Sequence, residues 1–528
     1  MNHEVWNQPP PLVDYNLFTS DRALREAVAR EGAGWACGAL EDFGRRLGTA
    51  ELMEWALEAN QNPPILHTHD RQGRRRDEVV FHPAWHHLMR LSVAQGIHNL
   101  PWARPQPGAH VARAALAMLA LENEAGHVCP ISMTYSAVPV LRLDRMLAAE
   151  WEPRIHSSTY DFSFRPADQK HGALVGMAMT EKQGGSDVRA NTTRAQPIGN
   201  REYLLDGHKW FCSAPMNDAF VVLAQAPAGL SCFFLPRWKP DGQLNGFHLQ
   251  RLKNKLGNRS NASSEVEFRS AWARLIGEEG RGVPTIIDMV RHTRLDCTLG
   301  SAALMRRALV EAIHHCRYRH TFGRPLIEHA LMRNVLADLA VESEAASLLA
   351  LRAARAFDEN DRPFARLVVA IGKYWTSKRA SAHVAEALEC LGGNGYVEDS
   401  GMPRLYREAP LNSIWEGSGN VIVLDALRAI KKEPESLDRV MAEILSGRDP
   451  RIEKFAARIG TSSSEIEGRR LVERLALALQ ASLLVRFSPA AVADAFCASR
   501  LEPDFGGAFG TLPKGVAMEE VIAAAFEG

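Results

Sequence analysis

The stretch SIWEGSGN, Ser413 to Asn420, sets one carboxylate, Glu416, between the apolar pair Ile414 and Trp415 and the run Gly417, Ser418, Gly419, Asn420. A carboxylate shielded from water by an aromatic wall holds its charge less willingly and is the stronger base for it. The flanking glycines let backbone approach a flat ligand closely. A second stretch, MAMTEKQGGSDV, runs from Met177 through Met179, Thr180, Gly185 and Ser186. Its hydroxyls and glycine backbone can donate to a planar polar ring or to a phosphate. In GHKWFCS, Phe211 and Ser213 flank Cys212 on alternating faces of a strand end. In RYRHTFGRPL, Arg319 and Phe322 close a long helix, and CLGGNGY brings Gly392 and Gly393 into a dense turn. Taken singly, each also reads as a surface carboxylate, a solvated turn, a half-buried strand edge or a helix end with a dipole-compensating arginine.

These residues need elements to hold them. Residues 1–175 carry mostly helical periodicity, with Pro83 suited to a helical first turn and PWARPQPG as a connector. Over 176–280 the texture changes to short β-rich runs such as EYLLDGHKWFCS, FVVLAQA and LSCFFLPRW, separated by turn signals. Helical periodicity returns over 281–432, where short loops between long helices favour a bundle. KKEPES reads as a hinge, and 433–528 is a further helical segment ending in the loop-like LEPDFGGAFGTLPKG. The fold expected is mainly α with a central β domain: N-terminal helical domain, middle β-barrel, helical bundle, and an extra C-terminal helical domain.

The chain has 528 residues and a formal net charge of +0, so no global field attracts nucleic acid or an acidic membrane. Its eight cysteines are scattered without a CxxC pair, which fits reduced thiols rather than a disulfide framework or zinc knuckle. No signal peptide is legible at the start and no apolar run is long enough to span a bilayer. A cytoplasmic protein without a membrane partner is expected. GxGxxG, GxxxxGK[ST] and HExxH are absent, and no acidic or cysteine partner completes a site with His82, His86 and His87, so no metal is expected.

The order and spacing of the five stretches resemble the acyl-CoA dehydrogenase family, FAD enzymes that desaturate acyl-CoA thioesters. MTEKQGGSD is similar to the family's TEPxxGSD loop, GHKWFCS to its GxKxWIT strand, and RHTFGRPL to RxxFGxPL. ECLGGNGY is similar to QxxGGxGY, and IWEGSGN to the IYEGT that carries the base. The spellings MTEKQGGSDVRANTTRA, RLKNKLGNRSNASSEVEF and RLYREAPLNSIWEGSGN resemble the AidB branch, flavoproteins linked to the adaptive response to alkylation damage. The resemblance implies that Glu416 abstracts the α-proton while the β-hydride passes to flavin N5. It implies FAD between the β domain and the bundle, touched by Met177, Met179, Thr180, Gly185, Ser186, Phe211, Cys212 and Ser213. Arg319, Phe322, Gly392 and Gly393 would reach the cofactor of a neighbouring subunit within a homotetramer. Trp415, Gly417, Ser418 and Asn420 would complete the cofactor's surroundings, and Thr180, Ser186 and Arg294 would meet the substrate, a short or branched acyl-CoA. Some relatives carry the base on an earlier helix, but Thr293 and Arg294 stand in the matching place here and neither is such a base.

The same branch implies an alternative: a DNA-associated flavoprotein with vestigial dehydrogenase activity. From Lys431 onward, thirteen basic residues meet fifteen acidic ones, so that segment is not basic overall. Arg451, Lys454 and Arg458 share a helical spacing, as do Arg470 and Arg474. They read either as a solvated face or as the seat of weak, sequence-independent binding to double-stranded DNA.

Overall fold

The computed structural model describes residues 2–460, 464–504 and 506–526. Chain contacts divide it into two compact units. The first comprises Met1–Met53, Gln106–Asn123 and Arg294–Gly528; the second comprises Glu54–Pro105 and Glu124–Thr293. The helices that matter for the site are, in chain order, α1 Pro83–Ala94, α2 Ala109–Asn123, α3 Val128–Leu141, α4 Gly282–Tyr318, α5 Ala330–Asp358, α6 Arg362–Glu389, α7 Gly419–Lys432 and α8 Gly468–Phe487. None of the described helices is long and apolar enough to cross a membrane.

The second unit holds two sheets. Strands β1 Ile65–His69 and β2 Arg75–Val80 form an antiparallel hairpin. The larger sheet contains β3 Val175–Ala178, β4 Arg194–Gly199, β5 Glu202–Ser213, β6 Ala219–Ala226, β7 Gly229–Pro236, β8 Phe247–Leu252 and β9 Ser263–Ile276. Its order is β3, β6, β4, β5, β9, β7; β8 pairs with β9, and β7 also pairs with β6, so the sheet closes on itself. The reason is visible in the strands. β6, AFVVLAQA, is apolar on nearly every position and buried along nearly its whole length. β5 instead alternates, turning Tyr203, Leu205 and Cys212 into a core that includes Phe220, Phe233, Phe247 and Phe268.

β5 is irregular where the site needs it to be. Its register against β9 shifts between Leu205 and Gly207 and again between Lys209 and Cys212. Gly207 has φ +153°, and a Cβ there would lie 2.6 Å from the Thr193 backbone, so only glycine fits the first shift. The second re-aims Trp210 and Phe211, the ordinary use of a bulge beside a site.

In the first unit α5 is buried almost all round and packs on α2, α6 and α8, while α6 also packs on α7. The C-terminal segment is bonded into this bundle. Trp375 on α6 donates Nε1–H to Gln480 Oε1 on α8 at 3.0 Å, and Arg500 reaches Glu342 on α5 at 3.0 Å.

The mainly α architecture with a central β domain is the one read from the sequence. The β1–β2 hairpin departs from the mostly helical expectation for residues 1–175. Its second strand, RRDEVV, carries charges at alternate and adjacent positions, so it offers no clean apolar period to read.

Candidate active site

In the first unit, a 3-10 turn over Leu411–Ser413 delivers the chain to Glu416. Glu416 has φ +57° and Gly417 φ +106°, two successive residues in the left-handed region. For glutamate that conformation is uncommon and persists only where its surroundings over-determine it. Here two cations hold the backbone. Arg294 donates Nε–H to the Glu416 carbonyl at 3.0 Å, and the Lys373 ammonium donates to the Gly417 carbonyl. Arg294 is itself fixed by Asp425 at 2.7 Å, and Asp425 by Arg366 at 2.8 Å. Burial would raise the Asp425 carboxyl, but Arg366 and Arg294 outweigh it and keep it below the usual carboxylate range.

Lys373 is only 1% exposed. Burial lowers its pKa, against the opposing influence of nearby Cys297 and Glu416. The Glu416 side chain is half-buried, and Trp415 beside it is oriented by an Nε1–H bond to Asn412 Oδ1 at 3.0 Å. Ser418 is the N-cap residue of α7 without a side-chain capping bond, and Asn420 accepts from Arg469 Nε at 2.9 Å.

Further along this unit, strands β10 His320–Thr321 and β11 Arg324–Pro325 form a minimal hairpin. Its tip carries Phe322, 97% exposed. Arg319 donates to the Asn7 carbonyl at 2.6 Å, and Asn7 brackets His320 with two more bonds. Gly392 and Gly393 open a 3-10 turn, and a Cβ on either would meet nothing within 4 Å. Their backbone is therefore bare to a flat or phosphate-bearing group.

In the second unit, the loop after β3 is tied down by one buried acid. Glu181 accepts from Lys209 Nζ at 2.8 Å, from Thr193 Oγ1 at 2.6 Å and from the Thr192 backbone at 2.7 Å. Burial would raise its carboxyl, but Lys209 and these donors hold it at about 2. Lys209 also bonds the Leu223 carbonyl, so the pair joins loop, β5 and β6. The Trp210 N–H bonds the Thr180 carbonyl at 2.8 Å. Thr180 packs so closely on Gly185 that a Cβ there would come within 2.6 Å of its hydroxyl.

Beyond this anchor, Gly185 and Ser186 are exposed, Thr180 and Met179 partly so, and Met177 is buried. Phe211 is 50% exposed, with the Lys253 ammonium 4.8 Å from its ring. Ser213 lies 3.4 Å from the Ser263 hydroxyl. The Cys212 side chain turns into the barrel core, so only its backbone can serve a ligand outside.

The structure thus brings Trp415, Glu416, Gly417 and Arg294 together in one unit, and Thr180, Gly185 and the β5 end together in the other. In the second unit, a half-exposed aromatic ring beside hydroxyl-bearing loops fits a flat cofactor such as FAD, and in the first the bare glycine turn fits a phosphate-bearing group. The sequence reading missed Lys373, Asp425, Glu181 and Lys209 as supports. The signal for Lys373 was there, a lone cation inside the apolar run VVAIGKYW.

Comparison with known proteins agrees with this organisation. Residues 7–162 match the family described as the adaptive response protein AidB N-terminal domain. Residues 176–271 match the acyl-CoA dehydrogenase middle domain, and 280–431 the acyl-CoA dehydrogenase C-terminal domain. AidB of Escherichia coli strain K12 is 48% identical over 95% of this chain and 94% of its own. Acyl-CoA dehydrogenase family member 11 of Caenorhabditis elegans is 30% identical over 89% of this chain and 78% of its own. The crystal structure of Caenorhabditis elegans ACDH-11 in complex with C11-CoA superposes with a TM-score of 0.85 at 27% identity, covering 94% of this chain and 93% of that one. With the carboxylate turn, the glycine loops and these matches together, the chain belongs to the acyl-CoA dehydrogenase family, FAD-dependent oxidoreductases acting on CH–CH bonds, in its AidB branch.

Proposed function

We propose that this protein desaturates an acyl-CoA thioester, with Glu416 taking the α-proton as the β-hydride departs. The observation that carries the reading is the Glu416 turn: a half-buried carboxylate on two left-handed residues whose carbonyls are bonded to Arg294 and Lys373. FAD, when bound, supplies the hydride acceptor. The rest falls to the chain. Trp415 screens the carboxylate from water, which favours proton abstraction. Thr180 and Ser186 are assigned to the substrate, and Met177, Met179, Gly185, Phe211, Cys212 and Ser213 to the flavin. Trp415, Gly417, Ser418 and Asn420 are further cofactor neighbours, and Arg319, Phe322, Gly392 and Gly393 those of an adjoining subunit. Arg294, expected at the substrate, is better assigned as the residue that positions Glu416, because its guanidinium is already engaged.

The acyl-CoA assignment draws support from the C11-CoA that the Caenorhabditis elegans relative holds. The test is an anaerobic titration of the bound flavin's visible band with short, branched and C11 acyl-CoA thioesters. One thioester is expected to bleach it, and Glu416→Gln to slow that bleaching by about 100-fold or more with flavin still bound. A variant that bleaches as fast as the parent removes Glu416 as the base.

A second reading, binding of double-stranded DNA through residues 433–528, draws on Lys454, Arg458, Arg469 and Arg470, all exposed. Arg451 contributes less, since Asp449 and Asp494 already pair with it at 2.7 and 2.8 Å. Assembly as a homotetramer draws on the exposed apolar side chains of Phe322, Leu331 and Tyr396.

A further inference from the structure

A cavity of about 400 Å³ opens in the second unit where β7 ends. That volume lies in the range of small-molecule sites. No residue assigned above to flavin or substrate lines it. Its walls come from β2, from the β7–β8 connection, and from a break in β9. There the β5–β9 register skips Arg269 and Ser270, and Ser270 takes φ +49°, pushing both residues out of the ladder. Five lining residues are cationic, Arg75, Arg76, Arg237, Lys239 and Arg269, against the single carboxylate of Asp77.

Arg237 is the residue that needs explaining. It is 2% exposed, with its guanidinium 4.6 Å from the Phe247 ring centre and 5.0 Å from that of Phe164. Its terminal nitrogens donate to the carbonyls of Pro215 and Asp77, and its Nε–H has no partner among the described residues. Among the described residues no carboxylate forms an ion pair with it. The acids that favour its charge, Asp77 and Asp218, are already taken by Arg75 at 2.6 Å and Lys170 at 2.7 Å. His248 is another lining residue, and its Nδ1 is also buried without a hydrogen-bond partner among the described residues. A buried cation left without a counter-charge is strongly unfavourable, and an anion entering the cavity removes that penalty.

We propose that this cavity binds the phosphate group of a phosphorylated small molecule. A guanidinium fork matches phosphate oxygens in geometry and charge. The rim cations can turn to a ligand at little expense, because their partners are surface groups: Asp241 and Gln243 Oε1 for Lys239, and Glu267 for Arg269. A terminal phosphate monoester can enter a recess and reach a buried arginine. A phosphate within a duplex backbone is flanked on both sides and stays at the surface, so nucleic acid is the poorer fit.

The test uses the full-length protein with inorganic phosphate and adenosine 5′-monophosphate as probes, at constant ionic strength set with chloride. Phosphorus NMR line broadening and calorimetry read binding. Saturable binding is expected for both probes; equal affinity identifies the phosphate group as what is read, and tighter binding of the nucleotide identifies a phosphorylated organic ligand. Arg237→Met should abolish it. Because that buried substitution can impair folding, the rim pair Lys239→Gln and Arg269→Gln provides the second arm, with binding weakened about tenfold or more. The proposal is overturned by no saturable response at millimolar concentration, by unchanged affinity in the double variant, or by a response to duplex oligonucleotide alone.

Discussion

At the scale of single residues, Glu416 depends on atoms that belong to other helices. Its carboxylate is useful only if the turn beneath it keeps one conformation, and Lys373 bonds the second carbonyl of that turn. Lys373→Met deletes that bond and also a buried cation whose charge is already disfavoured by burial. Flavin reduction by substrate should therefore slow by about 10- to 100-fold, the effect of a small misplacement of a reacting group. Stability should fall only modestly, by the roughly 1–3 kcal/mol that an unpartnered buried carbonyl costs, partly offset by loss of the buried charge. Stopped-flow reduction beside scanning calorimetry separates the two. An unchanged reduction rate would show that Lys373 does not position the proposed base.

At the scale of elements, the loop from Met179 to Ser186 is a strand exit stapled by an ion pair. Glu181 and Lys209 are both fully buried and bonded to backbone on either side. Breaking such a pair from one side typically costs about 3–5 kcal/mol, so Glu181→Gln should be destabilised by that order. The pH dependence follows from the direction of the shift. The folded carboxyl is held at about 2, below its ordinary 4.5, so its stabilisation is fully present above pH 4.5 and is lost as pH falls toward 2. Denaturant titrations across that window should show the parent losing stability more steeply than Glu181→Gln. Parallel curves would mean that the pair contributes nothing to acid sensitivity. The β5 bulges belong to this scale too: strand alternation sets Phe211 opposite Cys212, and the register shifts bring Cys212 onto the core face that Tyr203 and Leu205 share.

For the whole molecule, the two proposed assemblies can each be tested through surface chemistry. Phe322 stands 97% exposed on a two-residue hairpin tip, and the proposed assembly would cover it. Light scattering should find a tetramer in the parent and smaller species, with less bound flavin, in Phe322→Ser; a monomeric parent would refute the assembly. DNA binding through Lys454, Arg458 and Arg470 would neutralise about three phosphates, so its affinity should fall with salt at a log–log slope of about −3. Fluorescence anisotropy with a labelled duplex from low to physiological salt measures this. Affinity that holds constant over that range would exclude a phosphate-led interaction.

What the sequence by itself determined lies in short windows. The carboxylate turn is spelled by Trp415, Glu416 and Gly417 in a row, the barrel strands by apolar runs between turn residues, and the family by five stretches in order. Local spacing carries those signals because backbone conformation and side-chain alternation are decided within a few residues. The β1–β2 hairpin escaped because a charged strand has no apolar period. The supports escaped for a different reason. Lys373 stands 44 residues from Gly417, Arg294 stands 131 from Asp425, and Glu181 stands 28 from Lys209. Arg237, Asp77 and Arg269 likewise come together only through the hairpin, the barrel and a break in β9. Whether a charged side chain is an ordinary surface group or a buried cation awaiting a counter-charge depends on burial and on partners distant in the chain, and only the tertiary structure decides both.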